Sequence, residues 1–392
     1  MAAGQPGYNQ PVGSIAGRLA RVAILVVACG CGRIAFDDAA SGDGGGSGAI
    51  VLDPPTATIN LGARVALTVT DGTPPFTFTA TGGGWVDAEG TFTAPVRAGS
   101  SQVRVTDRAG NQATAAIRYE GSRLFLAGGD ATGAPRSDVR SSADGVSWSV
   151  VGQLPAPRAN GALIAYEDRL LYLGGLDVSG IPTNDVFASR DGATWTTIGQ
   201  IPDRLSALGI TVHAGELWLA GGNSAASGNV DDVLRSRDGA AWSRVGALPM
   251  TVHEHDLISR DGQLVVLGGH VDSGFVDTIV TSSDGVSWST SATRLGFGTD
   301  FPTVGELGDR IVRACGSDCT DTETSTDLLT WTPSTFPGGV RSGAALVGFG
   351  GRFLLVGGQP DVLVSTDGTA WTTLTTLPLT ITRTAATQFT PR

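Results

Sequence analysis

The chain holds four imidazoles, His213, His253, His255 and His270. Alternate residues of an extended strand face one side, so His253 and His255 could share a metal ion. No third ligand stands at metal-binding spacing from them. Asp256, His270 and Asp272 qualify only by proximity, so no metal is assigned. Cys315 and Cys319 enclose Gly-Ser-Asp. Zinc would need further ligands, and redox pairs are usually spaced more tightly, so a local disulfide is the expected state if the chain is exported. Arg158, Arg204, Arg341 and Arg383 stand at or near strand starts, with Arg294 as a further candidate. Guanidinium groups bind carboxylates and sulfates bidentately, which would make these arginines, together with His255, ligand-binding candidates. The competing role is structural, each arginine tying neighbouring units through backbone carbonyls. No Gly-x-Ser-x-Gly, phosphate loop or His-Glu-x-x-His occurs, and no cofactor is indicated.

The elements that must position these groups are β-strands. Of 392 residues, 57 are glycine and only 16% are charged. All 26 basic residues are arginine against 37 acids, a net charge of -11. That excess argues against nucleic acid or an anionic membrane held by electrostatics. Short alternating runs rich in Val, Thr and Ser, without long amphipathic helical patterns, place the chain in the all-β class.

Residues 22–28 (VAILVVA) are too short to span a bilayer in a helix, which takes about 20 apolar residues. With Arg18 and Arg21 ahead of them they fit a secretory signal over residues 1–28. The segment Val26-Val27-Ala28-Cys29 resembles a bacterial lipobox, with Cys29 as the lipidated residue; Cys31 is a second candidate. Residues 29–48, with their Gly/Ser-rich stretch, read as a flexible tether. The mature protein would be exported and lipid-anchored in the cell envelope, touching the membrane through its anchor alone.

From residue 49 to 121, expected strands at residues 63–70, 75–80, 101–106 and 112–119 alternate with turn signals such as Asp71-Gly72 and Gly110-Asn111. The segments Thr73-Pro-Pro-Phe76 and Gly90-Thr-Phe-Thr-Ala-Pro95 resemble bacterial Ig-like modules, which act as spacers or adhesive units. No cysteine is present there to bridge the two sheets, and Trp85 is read as core or strand-edge packing.

The remainder, residues 122–392, is a repeat. A glycine pair follows an apolar strand at Gly128-Gly129, Gly174-Gly175, Gly221-Gly222, Gly268-Gly269 and Gly357-Gly358, and a sixth slot reads Cys315-Gly316. A Ser-x-Asp turn ends in Trp148, Trp195, Trp242, Trp288, Trp331 and Trp371, at spacings of 47, 47, 46, 43 and 40 residues. The glycine pair ends a central strand where the backbone must approach closely, and Asp-Gly supplies a turn with positive φ. Four strands per such period mark a propeller blade. Six slots give six blades, and Arg383 to Phe389 supplies the strand that the first unit lacks, pairing with the blade begun at Arg123.

These markers resemble the kelch propeller family, and the Ser-x-Asp-Gly-x-x-Trp turn is similar to the Asp-box of sialidase-type propellers. Pro157-Arg158 matches the kelch strand start, and only His255 falls on the family's histidine slot. The resemblance implies that the four arginines share one face around a central channel. Copper oxidases of this fold need tyrosine ligands, and this region has only Tyr166 and Tyr172. Sialidases need an Arg-Ile-Pro segment, which is absent. The expected function is an envelope-anchored binding protein whose propeller loops, such as residues 130–138 and 223–232, recognise an envelope protein or a glycan; catalysis is left open. The alternative is an extracellular carbohydrate-active enzyme, a glycosidase or lyase with two carboxylates among the acids.

Overall fold

A computed structural model describes residues 49–60, 64–94, 99–317 and 319–389 of the chain. The expected signal segment, Cys29 and the tether lie outside those residues. The fold is all-β, and no helix occurs among the described residues.

Residues up to about 121 form three small sheets. The largest runs in the order Thr56–Asn60, Gln112–Glu120, Gly99–Thr106, Thr77–Thr81, the first pair parallel and the others antiparallel. Arg64–Ala66, Thr91–Thr93 and Trp85–Val86 make a second sheet, and Val51–Asp53 pairs with Thr68–Thr70. Alternation does the sorting: Val103 and Val105 on one strand and Ala115, Ile117 and Tyr119 on the next point into a core shared with Phe92 and Leu67. Each large apolar side chain buried there contributes roughly 1.5–3 kcal/mol. The single strand expected over residues 63–70 is two. At the break the Leu67 N–H donates to the Gly90 carbonyl at 3.0 Å while its side chain is buried, so the run changes sheets without leaving that amide unpaired. Trp85 sits on an edge strand, 53% exposed, with Arg64 over its ring.

Six sheets of four long antiparallel strands follow. The first is composite: Ala385–Phe389 pairs with Arg123–Ala127, then come Ala134–Ser142 and Ser149–Arg158. The second holds Ala162–Tyr166, Arg169–Leu173, Thr183–Ser189 and Thr196–Ser206. The third holds Gly209–His213, Glu216–Ala220, Asp232–Ser236 and Ser243–Ala247. The fourth begins at Asp256–Arg260, the fifth at Thr303–Leu307 and the sixth at Ala345–Phe349. These leading strands touch one another. Ala162–Tyr166 meets both Ala385–Phe389 and Gly209–His213, Gly209–His213 meets Asp256–Arg260, and Ala345–Phe349 meets both Thr303–Leu307 and Ala385–Phe389. Residues 130–138 and 223–232, expected as variable loops, include the short hairpins Asp130–Ala131 with Ala134–Ser142 and Asn223–Ser224 with Gly228–Asn229.

The tryptophan turn is one hydrogen-bonded unit repeated six times. In the first, Asp144 Oδ1 accepts the N–H groups of Val146 and Ser147, Ser142 Oγ accepts that of Gly145, and Trp148 Nε1 donates to the Gly145 carbonyl. The glycine is required twice over. Gly192 has φ of 75°, and a Cβ on it would lie 2.2 Å from the Phe125 ring in the preceding sheet. Gly239 meets Leu171, Gly285 meets Trp218, Gly368 meets Val312, and Gly145 of the first sheet meets Leu354 of the sixth in the same manner. The fifth unit departs from the pattern. Leu328 takes the glycine position at φ 61°, its side chain packs against the apolar cluster that includes Val265 of the preceding sheet, and Trp331 Nε1 is buried without a partner.

Candidate functional site

Two residues ahead of each leading strand the backbone turns left-handed. The six residues are Asn160, Ala207, Glu254, Phe301, Gly343 and Arg383, with φ between 49° and 62°. Their peptides link the units: Asn160 N–H donates to the Arg383 carbonyl at 3.0 Å, Ala207 N–H to Asn160 at 2.9 Å and Glu254 N–H to Ala207 at 3.0 Å. A cavity of about 250 Å³ opens at this level and is lined by all six. Because the position is fixed by the repeat, side-chain type is free to vary there. The result is one amide, one carboxyl, one aromatic ring and one guanidinium around a single mouth.

Arg383 lies over the Phe301 ring with its guanidinium carbon 5.3 Å from the centroid. The Glu254 side chain is 9% exposed, and its Oε2 is buried without a hydrogen-bond donor. Burial first, and then the neighbouring Asp300 carboxyl, hold Glu254 well above the ordinary carboxylate range; Arg383 opposes this weakly. His253 is the neighbour of Glu254 in the chain. Its ring stacks on His270 at 4.8 Å, and Nδ1 is 3.1 Å from the His270 carbonyl. Burial and the neighbouring His270 lower the His253 pKa.

The arginine ring expected from the resemblance does not form. Arg158 is buried, donating to Asp185 Oδ2 at 2.5 Å and to the Pro157 carbonyl. Arg341 is fully buried and held by the Asp361 carboxylate and carbonyl, each at 2.7 Å. Each reaches an aspartate on the third strand of the next sheet, Thr183–Ser189 or Gln359–Ser365, so both tie neighbouring units together. Arg204 is exposed on the outer strand of the second sheet, and Arg294 is exposed with Thr278 as its partner. Arg383 alone of these lines the cavity.

His255 does not pair with His253. Its ring fills the space that glycines leave: a Cβ on Gly209 would lie 2.6 Å from Nε2, and one on Gly221 2.7 Å from the ring. Burial lowers its pKa to about 4, so it is neutral packing material. Asp256 is partly buried, and desolvation raises its pKa to about 6. His213 is buried against Ser259 and the edge of Trp218. Cys315 and Cys319 are joined by a disulfide, with Thr299 Oγ1 3.0 Å from the Cys315 sulfur. The fifth sheet also buries an ion pair the sequence did not announce, Arg313 with Glu323 at 2.9 Å.

The mouth residues Glu254, Phe301 and Asn160 carry no type signature. They do carry a positional one, since Asn160, Ala207, Glu254, Phe301 and Gly343 each stand fourteen residues ahead of the first residue of the next glycine-pair slot.

No protein-family model matches the chain, and no curated protein matches it. Among solved structures, that of YjhT, a kelch-type propeller protein, is similar at 14% identity and a TM-score of 0.51, over 63% of this chain and 96% of that one. The likeness is one of fold. It brings no substrate, and what the mouth binds has to be argued from its own groups.

Proposed function

We propose that the chain is an envelope-anchored binding protein: a lipid anchor at Cys29, an Ig-like spacer, and a closed six-bladed kelch-like propeller whose mouth recognises the terminal residue of a glycan. The observation that carries this reading is the convergence of Asn160, Glu254, Phe301 and Arg383 on one cavity through the same left-handed position of successive units. The pairing of Ala385–Phe389 with Arg123–Ala127 supports closure of the propeller. Two sheets sharing the Phe92 and Ile117 core support the Ig-like reading.

Size and chemistry favour a sugar ring over an extended chain. About 250 Å³ is below the usual 300–1,000 Å³ of small-molecule pockets and suits one ring or one side chain. Donors on Asn160 and Arg383, the amide oxygen of Asn160 as acceptor and an aromatic edge at Phe301 match a ligand of alternating hydroxyls and C–H faces.

The test is calorimetry of the protein against envelope saccharides, comparing it with Arg383→Ala and Asn160→Ala. Binding of one saccharide class weakened by both variants supports the reading. Turnover of the sugar, or binding indifferent to both variants, would redirect it to an enzyme or to the outer loops.

A further inference from the structure

We propose that His253, Glu254 and His270, of which Glu254 lines the mouth, form a binding site for a divalent transition-metal ion of the zinc class. This goes beyond the glycan reading and does not rest on it.

One ligand atom from each of the three residues can be chosen so that all lie within 4.8 Å of one another. His253 Nε2 and Glu254 Oε1 are 3.9 Å apart. Nitrogen and oxygen ligands about 2.0–2.2 Å from a zinc ion stand roughly 3–4 Å from each other, so small side-chain rotations complete the set. Backbone pairing holds the two histidines in place, His253 N–H to the His270 carbonyl at 3.1 Å and His270 N–H to the His253 carbonyl at 2.8 Å. Phe275 packs on the His270 ring at 4.8 Å and restricts its rotation.

The outer contacts are those a ligating imidazole needs. The only partner of His253 Nδ1 is a carbonyl oxygen, so Nδ1 carries the proton and Nε2 presents a lone pair towards Glu254. Independently, Glu254 Oε2 is buried with no donor to satisfy it, on a side chain nine-tenths buried. A carboxylate in that state calls for a proton or a cation. Asp272 and Asp300 both favour positive charge at His253, while Arg383 is the opposing charge on the Glu254 side. Two imidazoles select zinc, nickel or copper over calcium or magnesium, which take all-oxygen sets.

The experiment is calorimetric titration of zinc chloride into the full, untagged chain carrying Cys29→Ser and Cys31→Ser, so that no free thiol competes. The expected result is one zinc per chain, with affinity falling at least about tenfold in His270→Ala and again in His253→Gln. Asp168→Asn, a half-exposed acid elsewhere, should leave affinity unchanged. Circular dichroism of each variant separates loss of a ligand from loss of fold, and either histidine variant suffices if the other unfolds. No stoichiometric uptake, or uptake equal in the parent and the histidine variants, would overturn the site. No sugar is present in this titration, so its failure leaves the glycan reading intact.

Discussion

The amide of Asn160 donates to the carbonyl of Arg383 at 3.0 Å, joining the start of the second sheet to the loop that leads into the last strand of the chain. The same linkage recurs from Ala207 to Asn160 and from Glu254 to Ala207. Left-handed residues that cost backbone strain in isolation are therefore over-determined by their neighbours. They aim side chains of unrelated type at one cavity. A repeat that conserves backbone geometry and frees the side chain is a physical route to a varied site on a uniform scaffold.

The tryptophan turns make stability acid-sensitive. Backbone N–H groups bonded to the carboxylates hold Asp238, Asp284, Asp327 and Asp367 below the ordinary aspartate range. A depressed folded-state pKa gives stability that is complete above the unfolded value of about 3.9 and lost as pH falls through the folded values. Urea midpoints measured from pH 7 to pH 2 should hold steady to about pH 4 and then drop. Asp238→Asn should lower the neutral midpoint and flatten the acid limb. An acid limb of the same steepness in that variant would remove the turns as its cause.

Turn glycines should differ in tolerance according to what lies beside them. Gly192→Ala and Gly133→Ala both place an alanine at positive φ, but only the former meets a ring, at 2.2 Å, while nothing lies within 4 Å of the latter. Overpacking adds about 1–3 kcal/mol, so Gly192→Ala should be the more damaging by that margin in chemical denaturation. Equal losses would mean that the turn does not press on Phe125.

Arg313 and Glu323 are 0% and 1% exposed, so removing one partner strands the other. Arg313→Ala should cost about 3–5 kcal/mol, and the double replacement Arg313→Met with Glu323→Leu should recover much of it. A single variant as stable as the parent would show that the pair is not buried in solution.

The periodic parts of the chain were legible because each slot imposes one residue type. The glycine at 192 is dictated by φ and by Phe125, and Asp191 by the N–H groups of Ala193 and Thr194 that its Oδ1 caps. The mouth was not legible for the converse reason. Asn160, Ala207, Glu254, Phe301, Gly343 and Arg383 share a backbone state and no side-chain chemistry. Residue type cannot tell an arginine that ties units together from one that meets a ligand. Arg158 and Arg341 are buried by aspartates on the third strand of the next sheet, whereas Arg383 has Phe301 beneath it. Slot counting makes His255 a ligand candidate, but the glycines around it, at 209 and 221, make its slot a packing position.

The central claim is that the mouth of the six-sheet body recognises a glycan terminus. The most direct test is equilibrium binding of the full chain to a panel of envelope-derived saccharides, beside Phe301→Ala and Trp85→Ala. The account predicts one saccharide class bound by the parent, weakened at least about tenfold by Phe301→Ala through loss of an aromatic anchor, and unchanged by Trp85→Ala. Binding lost in Trp85→Ala and intact in Phe301→Ala would contradict it and move recognition to the N-terminal sheets.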